Sequence, residues 1–135
     1  MSALHVRVQV ADEHYALPVA DVLEVAEVGA LTPVPGAGAA VLGVRNLRGQ
    51  VLPVVDLAAI FGLAAATRAR MVIAESHGRR AGLAVDAVAG VEELGDASEE
   101  IGSRHLLGAT LADGALVGVV DVGSVLDAVA EATAA

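Results

Sequence analysis

The chain is 135 residues long, enough for one domain or for two small subdomains sharing a core. It is 56% hydrophobic but 1% aromatic, from Tyr15 and Phe61 alone, so Val, Leu, Ile and Ala must fill the interior, and the β-branched ones favour strands. The lack of cysteine removes disulfides, thiolate metal ligands and a cysteine nucleophile; the net charge of −9, with 8 arginines as the only Lys or Arg residues and no run of them resembling a phosphate-binding patch, argues against nucleic acid as a partner.

The first residues, Met1 to Arg7, carry no basic segment followed by an apolar run, so a cytoplasmic address is expected. His5-Val6-Arg7-Val8-Gln9-Val10 alternates with period two, Asp12-Glu13-His14 is a polar turn, and Tyr15 to Val19 returns as a second strand. Asp21 opens a short turn or helical fragment, and Val25 to Val28 resumes alternation with Glu24 and Glu27 near a surface. Thr32-Pro33-Val34-Pro35-Gly36-Ala37-Gly38 is a breaker loop. It interrupts the longest uncharged stretch, Val28 to Val44, so no membrane-spanning helix is expected.

Val41 to Leu47 and Gln50 to Val55 flank Arg48-Gly49, a hairpin turn in which glycine supplies the positive φ and Arg48 sits at an exposed tip. Asp56 then caps a short helix over Leu57 to Phe61, which Gly62 ends. Arg70 to Glu75 and Arg80 to Val85 form another hairpin around His77-Gly78, and Val88 to Glu93 is a further strand. The acidic segment Glu92 to Glu100 reads as a solvated connector, and Ile101 to Leu107 has no assigned structure. Leu116 to Val120 is the last strand. Ser124 with Asp127 resembles a capping box opening a helix that puts Val125, Leu126, Val129 and Ala132 on one side.

Two of these segments are echoes. Gly49-Gln50-Val51-Leu52-Pro53-Val54-Val55-Asp56 returns as Gly114-Ala115-Leu116-Val117-Gly118-Val119-Val120-Asp121, and Leu17 to Val25 returns, with one gap, as Leu83 to Val91. The chain therefore reads as two related β units with a seam between them, a geometry suited to holding partners.

Candidate chemistry is sparse. Asp56, Asp86 and Asp121 each follow an apolar strand, and capping explains their spacing better than acid–base work. His5, His14, His77 and His105 occur singly, without metal-ligand spacing. Ser76, Ser98, Ser103 and Ser124 lack a nucleophile elbow, and Gly36-Ala37-Gly38 is not followed by the lysine of a phosphate loop. No catalytic, metal or cofactor site is expected.

The segment Gly43-Val44-Arg45-Asn46-Leu47-Arg48-Gly49-Gln50-Val51-Leu52-Pro53-Val54-Val55-Asp56-Leu57 closely resembles the signature of CheW-like domains, the chemotaxis coupling proteins. The resemblance extends to Tyr15 to Val19, Val22 to Val28, the Thr32 to Pro35 loop, Ala58 to Leu63, Gly82 to Val88 and Leu106 to Gly108. Asp96 to Leu107 departs from the pattern by looking short, which leaves the edge of the second barrel open.

The resemblance implies a mainly β fold of two intertwined five-stranded SH3-like β-barrel subdomains, with short helices and a C-terminal helix. One CheW-like domain would span residues 1–135, with subdomain one near 15–65 and subdomain two near 68–122. The N-terminal strand 4–10 and the C-terminal helix 124–133 would complete it. It further implies a cytoplasmic, non-enzymatic adaptor, without cofactor or membrane insertion. Its partners would be the cytoplasmic tip of a methyl-accepting chemoreceptor and the regulatory domain of a CheA-type histidine kinase. The receptor- or kinase-binding residues carried over are Val25, Glu27, Asn46, Leu47, Arg48 and Gly49. Glu27 and Arg48 are expected to pair across neighbouring strands. The kinase face is expected at the ends of the first barrel. The absence of a receiver pattern or kinase core favours a stand-alone adaptor. An adaptor in a non-flagellar chemosensory-like pathway, such as pilus motility, fits the same residues. A small-ligand-binding β-barrel or a hydrolase using Asp56 or Asp86 would need an enclosed polar pocket at either aspartate.

Overall fold

The computed structural model describes residues 2–65, 67–98 and 104–133. The alternating N-terminal segments form β1 (Ala3–Val10) and β2 (Glu13–Pro18), antiparallel to each other, and a 3-10 turn at Val19–Asp21 leads into β3 (Val22–Glu27). After the proline loop come β4 (Val41–Leu47), β5 (Gln50–Asp56) and the single-turn α1 (Leu57–Ile60). The second half repeats this order as β6 (Arg70–Ser76), β7 (Arg79–Val85), β8 (Ala87–Leu94), β9 (Leu106–Ala112), β10 (Ala115–Val120) and α2 (Val122–Thr133). None of the described helices is long and apolar enough to cross a membrane.

The strands make two five-stranded sheets, β3-β6-β7-β5-β4 and β8-β1-β2-β10-β9. These orders are identical once β1 to β5 are matched with β6 to β10, so the sequence echo is a structural repeat. Each half lends its opening hairpin to the other half's sheet. The lent hairpin docks through a parallel pairing, β7 on β5 in one sheet and β2 on β10 in the other. This exchange changes the expected boundaries. β6 and β7, assigned by position to subdomain two, belong with β3 to β5, and β2, assigned to subdomain one, belongs with β8 to β10.

The exchange also explains the high hydrophobic content. In β6, Met71 and Ile73 join Leu52, Val54 and Ala84 inside the first barrel, while Val72 and Ala74 face the other way into the seam. Strands buried on both faces read as continuous apolar runs. The seam holds the main core: Val6, Val8, Val10, Tyr15 and Leu17 from one sheet pack with Val55, Val72, Leu83 and Val85 from the other. Val122, Val125, Leu126 and Val129 of α2 join that core. The second barrel's own interior is slighter, built on Ala16, Leu94 and Val117. At about 25 cal/mol per Å² of buried apolar surface, the seam is the larger stabilising element, so neither barrel is an independent unit.

Each barrel closes where the chain before its fourth strand bridges to that strand. Thr32 and Val44 exchange backbone hydrogen bonds of 2.9 and 2.8 Å, and Ser98 and Ala109 do the same at 2.8 and 3.2 Å. Arg45 reinforces the first closure, its guanidinium donating to the carbonyls of Glu27 and of Val28, the latter at 2.7 Å.

Two local expectations change. β9 lay unrecognised, with Gly108 breaking its pattern; residues 99–103 of the acidic connector and the unassigned stretch lie outside the described residues. The C-terminal helix begins at Val122, and its cap is Asp121, whose Oδ1 accepts from Ser124 N at 3.2 Å. Ser124 is therefore not the cap. Its hydroxyl donates to Arg104 O at 3.0 Å and meets His105 Nδ1 at 2.8 Å.

Candidate functional site

Of the residues carried over by the resemblance, Asn46, Leu47, Arg48 and Gly49 gather at the β4–β5 hairpin, while Val25 and Glu27 lie on β3. Leu47 pairs with Gln50 and Asn46 with Val51, leaving Arg48-Gly49 as a two-residue loop with φ of 50° and 81°. Positive φ at both positions is the turn whose twist matches that of the strands it joins. Asn46 secures it by accepting from Gly49 N at 3.0 Å through Oδ1, so Asn46 and Gly49 shape the tip. Arg48 and Leu47 line the groove beside it.

That groove, about 240 Å³, has Leu23, Leu47, Leu52 and Ile73 among its lining residues, with Glu24, Arg48, Gln50 and Arg80 as its polar members. Two ion pairs flank it. Arg48 donates to the Glu24 carboxylate, and Arg80 donates to Glu75 and, at 2.7 Å, to Gln50 Oε1. An adjoining depression of about 380 Å³ continues past Val51 to Gly78. Leu23 and Val51 are 48% and 63% exposed, so this barrel end offers apolar surface within a guanidinium and carboxylate frame.

The expected Glu27–Arg48 pair is replaced by Glu24–Arg48. A β-bulge between Val22 and Glu24 shifts the register of β3 against β6, which brings Glu24 to the tip. Glu27 reaches the neighbourhood through its backbone carbonyl, which Arg45 holds. Arg48 remains 68% exposed in side chain, so the pair contributes about 0–1 kcal/mol to folding and acts mainly to orient the arginine. Val25 is half-buried against the seam core and does not line the groove. Glu24, Leu23, Gln50 and Arg80 line the groove, although the resemblance carries none of them over as binding residues and the sequence marks only Glu24 among them as near a surface. Their signal was the polar and apolar alternation flanking the hairpin, readable only once β3 and β7 are known to converge on it.

The strand-end aspartates are structural. Asp56 Oδ1 accepts from Ala58 N at 3.1 Å and its Oδ2 from Arg68 Nε at 2.8 Å, which holds the Arg68 guanidinium above its ordinary pKa. Asp86 accepts from Ala11 N and Thr67 N, both at 2.6 Å, tying the β1–β2 turn to the linker before β6. These oxygens bind backbone amides and a guanidinium, an arrangement for strutting and capping. Among the described residues no group of three or more His, Asp or Glu side chains is placed to hold a metal.

The other perturbed groups lie along an aromatic contact. Tyr15 stacks on Phe61 with centroids 4.6 Å apart, and His105 meets Phe61 edge-on at 6.3 Å. Burial pushes the Tyr15 phenol well above its ordinary pKa, helped by its hydrogen bond to Glu13 and that carboxylate's charge. Burial, then the Arg104 charge, pushes His105 below its ordinary value, with Asp121 opposing.

Residues 5–130 match the family model described as the CheW-like domain. The chain is 40% identical over 91 residues to the chemotaxis protein CheW of Rhizobium meliloti, covering 65% of this chain and 59% of that protein's length. It is 33% identical over 120 residues to Protein FrzA of Myxococcus xanthus, covering 78% and 72% respectively. The crystal structure of the scaffolding protein TtCheW from Thermoanaerobacter tengcongensis superposes with a TM-score of 0.79 at 28% identity, over 89% of each chain.

Proposed function

The chain belongs to the CheW-like domain family, and from that premise we propose that it is a non-enzymatic chemotaxis adaptor that couples a chemoreceptor to a histidine kinase. One surface takes the cytoplasmic tip of a methyl-accepting chemoreceptor and another the regulatory domain of a CheA-type kinase, both in the cytoplasm. The observation that carries this reading is the framed groove at the first barrel's end. Arg48 is held at an exposed tip by Glu24, beside Leu23, Leu47 and Val51. Arginine donors next to a small apolar patch are the usual anchors of a protein interface. The engaged aspartates support the non-enzymatic part of the reading, because their carboxylates already serve the fold.

Asn46, Leu47, Arg48 and Gly49 form the binding tip in this account, Glu24 positions Arg48, and Val25 and Glu27 act from the supporting strand. The test is assembly of a ternary complex of this chain with a receptor signalling domain and the kinase from the same source. Arg48→Glu should weaken assembly while leaving the unfolding midpoint in place. Equal assembly by wild type and variant would remove the tip from the site. The match to Protein FrzA also allows a second reading, the same adaptor role in a non-flagellar chemosensory-like pathway. Substituting kinases from the two kinds of pathway in that assay separates them.

A further inference from the structure

The two barrel ends are equivalent by the repeat but opposite in chemistry. Where the first hairpin tip carries Arg48-Gly49, the second carries Asp113-Gly114, with matching φ of 50° and 75°. Where Asn46 faces Val51 across the first hairpin, Leu111 faces Leu116 across the second. Arg79, at the start of β7, has its counterpart in Glu13 at the start of β2.

Leu111 and Leu116 are 73% and 60% exposed although they are direct cross-strand partners, and carboxylates stand on both sides of them. On one side is a groove of about 370 Å³ with Asp12 and Glu13 at its edge and Tyr15, Leu106, Ala109 and Leu116 along it. On the other is one of about 340 Å³ bounded by Glu92, Glu93, Leu111 and Asp113. No arginine lines either groove. Arg7, below the second groove, is committed to Glu92 and buried beneath it.

We propose that Leu111 and Leu116, rimmed by Asp12, Glu13, Glu93 and Asp113, form a docking surface for a basic protein segment that carries an aliphatic anchor. The leucines offer a small apolar centre that a partner would desolvate on docking, and the carboxylates offer acceptors to arginine or lysine on either side of it. The same rim repels an acidic segment, so charge selects the partner before packing does. The surface is separate from the Arg48 groove, and either one can fail without the other.

The test is a two-dimensional amide NMR titration of the full chain with a short synthetic peptide alternating arginine and leucine, and with its glutamate counterpart. With the arginine peptide, saturable shifts should be confined to the β9–β10 tip, the β1–β2 turn and the Glu92–Glu93 end of β8. The Leu111→Ser/Leu116→Ser double variant, whose changes are at exposed positions, should bind about tenfold more weakly with the rest of its spectrum unmoved. The glutamate peptide should shift nothing at the tip. Shifts scattered over the acidic surface, equal binding by the double variant, or no shift at all would overturn the proposal. Movement of the tip resonances with protein concentration alone would also overturn it, by assigning the surface to a second copy of this chain.

Discussion

Replacing Gly43 with alanine tests the closure on which the first barrel's site depends. Gly43 has a φ of 151°, and an added Cβ would lie 2.7 Å from the Thr32 carbonyl oxygen and 3.1 Å from the Leu31 side chain. The backbone conformation itself costs a side chain about 1–3 kcal/mol. Relieving the contact requires the 28–32 segment to withdraw from β4, which weakens the two Thr32–Val44 hydrogen bonds at about 1 kcal/mol each. Arg45 still grips the carbonyls of Glu27 and Val28, so the segment would not detach fully, and the total loss should be about 2–4 kcal/mol. Urea unfolding reads this as a lower midpoint with an unchanged slope. Gly36→Ala is the control. Gly36 also has positive φ, 77°, but a Cβ there meets nothing within 4 Å, so its cost is conformational alone, about 1 kcal/mol. If Gly43→Ala proved no worse than Gly36→Ala, the close approach of Thr32 would not be what closes the barrel. Gly108→Ala, whose Cβ would collide with the Ser98 carbonyl, extends the argument to the second barrel.

Two pH predictions follow from the aromatic contact. His105 is held below its ordinary pKa of 6.5, so the unfolded chain takes up the proton first. Its contribution to stability should be complete above that value and fall as pH drops through it, levelling off below the folded value. Ser124, Phe61, Arg104 and Asp121 face the ring, and His105→Gln should flatten the slope of unfolding midpoint against pH in this window. An unchanged slope would place the titration elsewhere. Tyr15 is the only tyrosine in a chain without tryptophan, so its ionisation can be followed by ultraviolet absorbance. Because its folded pKa is raised, the phenol should stay protonated through pH 10 in the folded chain, and stability should fall as pH rises above that value. Glu13→Gln should bring the absorbance midpoint back toward 10, and a midpoint already near 10 in the wild type would contradict the buried hydrogen bond.

Much of this architecture is written locally. The hairpins, the Arg48-Gly49 turn, the aspartate caps and the repeat rest on alternation, turn glycines and strand-end carboxylates, each a signal spanning a few residues. The hairpin exchange is not local. β7 docks on β5 and β2 on β10 through pairings between distant segments, and β6 carries the same apolar run whichever sheet it joins. The site was legible to the same degree. Asn46 to Gly49 announce a hairpin tip, but a bulge in β3 decides that Glu24 and not Glu27 meets Arg48. Asp121 and Ser124 are both good caps three residues apart, and only the strand end before Asp121 makes it the cap. β9 is built from Gly108, Ala109 and Thr110 at its centre, small residues that pair well in a tight barrel and carry little strand signature of their own.

The adaptor account is tested most directly by calorimetric titration of this chain with the regulatory domain of the CheA-type kinase from the same source, and separately with a receptor signalling domain. The account predicts saturable binding to both, with Arg48→Glu weakening at least one by about tenfold, or 1.4 kcal/mol, at an unchanged unfolding midpoint. No saturable binding of the wild-type chain to either partner would contradict it.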